Sequence, residues 1–119
     1  GDVYKRQIPI STEGDESYEW SKVAGAGTSY VNACTLLSRA FRDAYEPGHY
    51  VASISPTPLL LAVATHDTRC LTDLQLKAYS MAHEPKRLEV FAGGHYSPYT
   101  TQLPTVASAS CKWFEGHLK

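Results

Sequence analysis

An aspartate and a histidine each follow a short apolar segment of the sequence. The run Leu59–Ala64 precedes Asp67, and the segment Arg87–Phe91 followed by two glycines precedes His95. A neutral imidazole can accept a proton from a nucleophile and return it to a leaving group. A buried carboxylate that holds the other ring nitrogen fixes the tautomer and stabilises the imidazolium. The two residues could therefore perform general acid-base chemistry if the fold brings their side chains together.

The two apolar segments predict parallel strands joined by a helix. Leu59–Ala64 is continuously apolar, which is typical of a strand covered on both faces of a parallel sheet. Arg87–Phe91 predicts a second strand, and the intervening segment predicts a helix that starts near Thr72, with Thr72 as its N-cap. Because the carboxyl ends of parallel strands meet at one edge of a sheet, the aspartate and the histidine are expected on neighbouring loops. The sequence thus predicts an α/β fold.

Two further helices are predicted on either side of this unit. Apolar residues at three- and four-residue steps predict a helix over 31–45, and a last helix is predicted over about 104–118, with a proline in its first turn. Residues 8–30 are polar and contain several glycines, which predicts a loop or a loosely packed cover. The positions predicted to be buried in the three helices are Val31, Cys34, Leu37, Phe41, Ala44, Leu74, Ala78, Met81, Val106, Ala109, Trp113 and Phe114.

Composition and charge exclude several classes of function. The chain has 119 residues and a formal net charge of -1, and its basic residues are scattered, so neither nucleic acid nor an anionic membrane is expected as a partner. No apolar run approaches the ~20 residues of a membrane span. The cysteines argue against a zinc site or a disulfide framework, because they are odd in number and widely spaced. They predict reduced thiols and a cytoplasmic location; they are Cys34, Cys70 and Cys111.

Each residue of the pair also has a simpler interpretation, and other residues compete with it. Asp67 could merely begin a loop or cap the next helix. His66 is adjacent to Asp67 but projects in another direction, so it is interpreted as a pocket-lining or surface residue. Asp73 is the best rival acid, although its place at a helix start favours capping. Chain order, spacing and strand-end placement together favour catalytic roles for Asp67 and His95. The histidines not expected to be catalytic are His49, His83 and His117.

Aspartate before histidine is also the order of the catalytic triad of α/β-hydrolases, in which the serine comes first. No G-x-S-x-G motif occurs in the sequence, because Gly25–Ser29 has its glycines and serine in the wrong register and follows no predicted strand. The opening Gly1–Gln7 looks foreign, like a translated adapter sequence. Two strands also make an incomplete sheet. The sequence therefore predicts a C-terminal fragment that does not turn over an ester by itself and whose serine lies upstream of Ile8.

Five short motifs occur in order from Tyr45 to the end of the chain. They are Tyr45-Glu46-Pro47-Gly48, Ile54-Ser55-Pro56-Thr57-Pro58-Leu59-Leu60, Asp67-Thr68, Glu84-Pro85-Lys86, and Gly93-Gly94-His95 with Tyr99. In these motifs the chain resembles dienelactone-hydrolase-like and peptidase-like α/β-hydrolases, including the fungal polyketide transferase (acyltransferase) family. It departs from the family pattern at Arg69-Cys70-Leu71, where a proline is expected in place of Leu71.

The resemblance implies that Asp67 and His95 are the acid and the base of the triad. It implies that residues 8–50 are a cover and crossover before the last strands, and that residues 51–119 are the C-terminal β-α-β-α part of the domain. It also implies that two aromatic residues of the cover, Tyr18 and Trp20, lie near a substrate cleft.

Two functions from different classes are consistent with the sequence. The favoured one is a serine hydrolase or acyltransferase that acts on an ester, thioester or amide of a small-molecule acyl substrate, with no metal or organic cofactor. The alternative is a non-catalytic α/β binding or interaction module, a degenerate relative of the hydrolases. The two differ in whether a strand, G-x-S-x-G, helix segment precedes Ile8.

Overall fold

The computed structural model describes residues 3–118, which fall into two compact units that divide between Glu46 and Pro47. Helices and a parallel strand pair are both present, so the α/β class predicted from the sequence is confirmed. The first two residues of the segment predicted to be foreign, Gly1 and Asp2, lie outside the described residues.

The N-terminal unit contains two short strands and two helices. Strand β1 pairs antiparallel with β2, so that Gln7 lies opposite Thr35. A single 3-10 turn precedes β1. The elements in chain order are the turn Val3–Lys5, β1 (Gln7–Ile8), α1 (Glu16–Ala24), β2 (Cys34–Thr35) and α2 (Leu36–Ala44).

Helix α1 lies in the segment that the sequence predicted to be a loop or a loosely packed cover, so the loop prediction is wrong over Glu16–Ala24. The helix is set by local contacts. The carboxylate of Asp15 accepts a hydrogen bond from the backbone N–H of Ser17 at 2.7 Å, and Lys22 forms an ion pair with Glu19 at 3.3 Å. No residue of α1 is buried, so the helix depends on these local contacts and not on the packing of an apolar face.

Helix α2 is shorter than the predicted range of 31–45, because it begins only at Leu36. The preceding residues pair with β1 instead, and the hydroxyl of Thr35 caps the helix by accepting from the backbone N–H of Ser38 at 3.1 Å. The predicted burial of the apolar residues over 31–45 is also wrong, since Val31 is 70% exposed and Phe41 is 69% exposed.

The C-terminal unit is a strand-helix-strand unit followed by a long helix. Strands β3 and β4 are parallel over six residue pairs, from Leu59 opposite Lys86 to Ala64 opposite Phe91, which confirms both predicted strands. Among residues 3–118, no other strand pairs with these two. The elements are a 3-10 segment (Pro47–Ser53), β3 (Leu59–Ala64), α3 (Thr72–Met81), β4 (Lys86–Phe91), a 3-10 turn (Ser97–Tyr99) and α4 (Leu103–His117).

The core of this unit lies where α3 and α4 pack on the strands. Helix α4 contacts both strands, whereas α3 contacts β3 and the preceding 3-10 segment. Val63 is fully buried, and Phe91 is 4% exposed. The peptide bonds before Pro56 and Pro85, which precede β3 and β4, are cis. The other buried apolar residues of the unit are Val51, Ala64, Ala82 and Ala109.

The predicted buried positions of α3 and α4 are only partly correct. Ala109 is buried, but Leu74 is 61% exposed and Phe114 is 55% exposed. Met81 is also exposed. The reason is physical: a two-stranded sheet covers only a narrow stripe of each helix, so the remaining apolar side chains meet solvent. Within residues 3–118, no helix combines the length and the apolar character needed to cross a membrane.

Candidate active site

The ends of β3 and β4 lie side by side, and backbone hydrogen bonds continue between the two segments that follow these strands. The backbone N–H of Thr65 donates to the carbonyl of Phe91 at 3.0 Å, and that of His66 donates to the carbonyl of Gly93 at 2.9 Å. The hydroxyl of Thr65 also accepts from the N–H of Gly93 at 3.2 Å. The two loops that follow the strands are therefore held together at one edge of the sheet.

The structure brings the side chains of Asp67 and His95 into direct contact at this edge. His95 Nδ1 lies 2.9 Å from Asp67 Oδ2. The residue Asp67 is 8% exposed, and the His95 side chain is 27% exposed. Because an ionised carboxylate can only accept, Nδ1 carries the proton in this pair, and in a neutral imidazole Nε2 then presents its lone pair. The expected proximity is thus observed, while the catalytic roles stay a prediction.

The loop that carries Asp67 is folded around its carboxylate. Oδ1 accepts from the backbone N–H of Arg69 at 2.9 Å and from that of Cys70 at 2.8 Å. Oδ2 accepts from the side-chain amide of Gln75 at 3.1 Å, in addition to its contact with His95. Both oxygens therefore receive donors from protein groups, which holds the plane of the carboxylate.

Thr72 has a different role from the one predicted. It is the first residue of α3, and the N-cap position belongs to Leu71, which makes no side-chain capping bond. The Thr72 hydroxyl donates to the carbonyl of Ala64 at 2.7 Å and accepts from the N–H of Asp67 at 2.9 Å. The hydroxyl therefore links the end of β3 to the backbone of the acid. The N-cap prediction is wrong because Thr72 already lies within the helix and its hydroxyl bonds to these backbone groups instead.

Gln75 is the site residue that the sequence analysis missed. Its contacts depend on the course of the loop between Asp67 and α3, and no residue pattern encodes that course. One weak signal exists, because Gln75 lies three residues after Thr72 and so shares its helix face.

The loop before His95 turns sharply at its two glycines. Gly93 has φ +135°, and a Cβ atom there would collide with the side chain of Ser97. The Ser97 hydroxyl accepts from the N–H of Gly94 at 2.9 Å, and the Ser97 N–H donates to the Gly94 carbonyl at 3.1 Å. The ring of Tyr96 packs edge-on against that of His95, with centroids 4.8 Å apart. These contacts orient the imidazole toward the carboxylate.

The competing residues do not join this pair. His66 is exposed, and its Nδ1 contacts the Thr65 hydroxyl at 2.8 Å. Asp73 is exposed in the first turn of α3. Gly25–Ser29 follows α1 and not a strand, which is unsuitable for a nucleophile elbow. The three histidines not expected to be catalytic are exposed; they are His49, His83 and His117.

Two aromatic residues were predicted near a substrate cleft. Tyr18 lines a cavity of about 270 Å³ within the N-terminal unit, and Trp20 is not among its lining residues. Their relation to a substrate cleft stays a prediction. Across residues 3–118, no group of three or more histidine, cysteine, aspartate or glutamate residues is arranged to hold a metal ion.

The pKa of Asp67 is set by opposing effects. Burial raises the pKa of the carboxyl, but the hydrogen bond from His95 and those from the N–H groups of Cys70 and Arg69 together outweigh burial. The pKa of Asp67 therefore lies below its ordinary value of 3.8, and the group is ionised at neutral pH.

This shift predicts a pH dependence of stability. Because the folded-state pKa is below that of the unfolded chain, the stabilisation from Asp67 is fully present above about pH 4 and is lost as the pH falls through the folded-state pKa. We expect Asp67→Asn to flatten the fall in the free energy of unfolding below about pH 4. Urea unfolding at a series of pH values measures this. Asp73→Asn is the control and should keep the wild-type slope; equal slopes for all three proteins would contradict the prediction.

One solved structure that is similar to the chain is the α/β hydrolase GrgF from Penicillium sp. sh18. The two share 20% sequence identity with a TM-score of 0.78 over 95% of this chain. The chain spans 42% of the length of that protein. No family model matches the sequence, and no curated protein matches it. The likeness shows that the chain has an α/β-hydrolase-like fold with an incomplete sheet.

Proposed function

We propose that this chain is the C-terminal part of a serine hydrolase or acyltransferase, with Asp67 as the triad acid and His95 as the base. The observation that carries the proposal is the 2.9 Å contact between His95 Nδ1 and Asp67 Oδ2 at the carboxyl ends of two parallel strands. In this proposal residues 1–7 are a foreign extension, 8–50 belong to the cover and crossover, and 51–119 close the domain. The serine belongs to an upstream segment of the complete protein.

In the proposed reaction the serine attacks the carbonyl carbon of an ester, thioester or amide while its proton passes to His95 Nε2. The imidazolium then gives that proton to the leaving group as the bond to the carbonyl carbon breaks, which forms an acyl-enzyme. Water or an alcohol attacks the acyl-enzyme, His95 again accepts and returns a proton, and the serine is released. Asp67 stays ionised throughout, so that its charge stabilises the imidazolium.

The environment of each residue supports these roles. The lowered pKa of Asp67 keeps its charge at neutral pH, which is when the imidazolium needs it. Its bonds to backbone N–H groups hold the carboxylate in place before the reaction starts. The His95 side chain is partly exposed, so its Nε2 can meet a nucleophile and a substrate.

Two likenesses support the proposed substrate class. GrgF is described as an α/β hydrolase, which is consistent with a hydrolase as the complete protein. The motifs around the two residues resemble those of dienelactone-hydrolase-like proteins and the polyketide transferase family. We therefore propose a small-molecule acyl substrate and a reaction that needs no cofactor.

Active-site labelling tests the proposal directly. A fluorophosphonate probe reacts with an activated serine, so it should label the complete protein and leave these 119 residues unlabelled. His95→Ala should abolish labelling of the complete protein because the serine then has no base. Failure to label a folded complete protein, together with an upstream sequence that lacks G-x-S-x-G, would favour the non-catalytic binding module instead.

A further inference from the structure

Gln75 bonds to two groups of the loop that carries the acid. Its side-chain amide nitrogen donates to Asp67 Oδ2 at 3.1 Å and also donates to the backbone carbonyl of Cys70. A primary amide has two N–H donors, so both bonds can form at once. The side chain therefore joins the carboxylate of the acid to the backbone of its own loop.

The contact falls on the oxygen that also faces the base. The backbone donors of Arg69 and Cys70 both reach Oδ1, whereas His95 Nδ1 and the Gln75 amide both reach Oδ2. The carboxylate turns about its Cβ–Cγ bond, which moves both oxygens, so donors on both oxygens restrain that rotation more tightly than donors on Oδ1 alone. The Gln75 amide adds this restraint on the oxygen that faces His95.

The helix that carries Gln75 is itself anchored to this loop. Thr72, three residues earlier on the same face, bonds to the end of β3 and to the N–H of Asp67. The first turn of α3 thus forms hydrogen bonds with the loop at two points, one on the backbone and one on the carboxylate. An amide in this place is supported by an ordered helix and not by a loop.

We propose that Gln75 is a positioning residue, which holds Asp67 Oδ2 so that it points at His95 Nδ1. This inference rests on the proposed function, in which Asp67 orients the catalytic base. Because Gln75 bonds to the acid and would act through it, its loss should lower kcat and leave KM nearly unchanged.

Two substitutions of similar shape separate positioning from packing. Gln75→Met keeps the volume and removes the donor, which should lower kcat about tenfold. Gln75→Glu keeps the shape but sets a second carboxylate against Asp67, which should lower kcat further, by about a hundredfold. A residue that only fills space predicts the opposite order, because glutamate matches glutamine in shape better than methionine does. Lys77→Met, at an exposed position of the same helix, is the matched control.

Two measurements on the complete protein test the inference. They are kinetics on an aryl ester and ¹³C NMR of the Asp67 carboxyl carbon. We expect the titration midpoint of Asp67 to rise in Gln75→Met, to rise more in Gln75→Glu and to stay unchanged in Lys77→Met. A wild-type protein without esterase or transferase activity would overturn the proposed function, and the titration would still decide the role of Gln75. Equal midpoints in all four proteins, or Gln75→Glu as active as wild type, would overturn the inference.

Discussion

Replacing His95 by alanine should lower kcat of the complete protein on an aryl ester by about 10⁴ or more, with little change in KM. In the proposed reaction one imidazole both accepts the serine proton and protonates the leaving group, and alanine removes it. The loop that carries Asp67 offers no substitute, because its histidine, His66, contacts the hydroxyl of Thr65.

A second histidine supplies the control for this experiment. His83 is exposed and precedes β4, so it lies at the opposite end of the strand from His95. His83→Ala should retain the kcat of the wild type. A loss of less than about tenfold in His95→Ala, in a protein that remains folded, would refute the role of the base.

The part of the fold around the two residues could be predicted because its signals are strong and local. Leu59–Ala64 is continuously apolar, and β3 has those bounds. Arg87–Phe91 differs from β4 by one residue, since the strand starts at Lys86. Once two parallel strands and a crossover are recognised, topology alone places the residues after them at one edge of the sheet. The proximity of Asp67 and His95 follows from that.

The elements that could not be predicted are those held by contacts between side chains and backbone. Helix α1 carries no buried residue, and its cap from Asp15 is an ordinary feature of many loops as well. Gln75 is a similar case, because its bonds to Asp67 and Cys70 depend on loop coordinates and not on spacing. Burial was overestimated for a different reason, because the period of a sequence identifies the apolar face of a helix but not whether another element covers that face. The apolar stripe of α2 has the correct period, yet Phe41 is 69% exposed.

Asp67→Asn tests the acid through a constraint that the structure imposes on the new side chain. The oxygen at the position of Oδ1 accepts from the N–H groups of Arg69 and Cys70 at 2.9 and 2.8 Å. An asparagine must therefore keep its carbonyl oxygen there, which turns its NH₂ group toward His95 Nδ1 and toward the amide of Gln75. The NH₂ group of the asparagine then faces two other hydrogen-bond donors, which are the Nδ1–H of His95 and the amide of Gln75.

The imidazole can relieve this conflict only by moving its proton. If Nδ1 gives up its hydrogen and accepts from the asparagine NH₂, then Nε2 becomes protonated and can no longer take the proton of the serine. We expect Asp67→Asn to lower kcat by about 10⁴, as a wrong tautomer does in serine proteases, although the two side chains have nearly the same size. The ¹⁵N NMR shifts of the His95 ring should report the tautomer independently of turnover.

Asp73→Asn is the matched control, since Asp73 is an exposed acid in the first turn of α3, the helix that follows the Asp67 loop, and was the strongest rival by sequence. It should keep both the wild-type kcat and the wild-type tautomer of His95. The double variant Asp67→Asn/His95→Ala should be no slower than His95→Ala alone, because an acid that acts through the base has nothing left to orient. A further large loss in the double variant, or an unchanged tautomer in Asp67→Asn, would show that Asp67 does not act through His95.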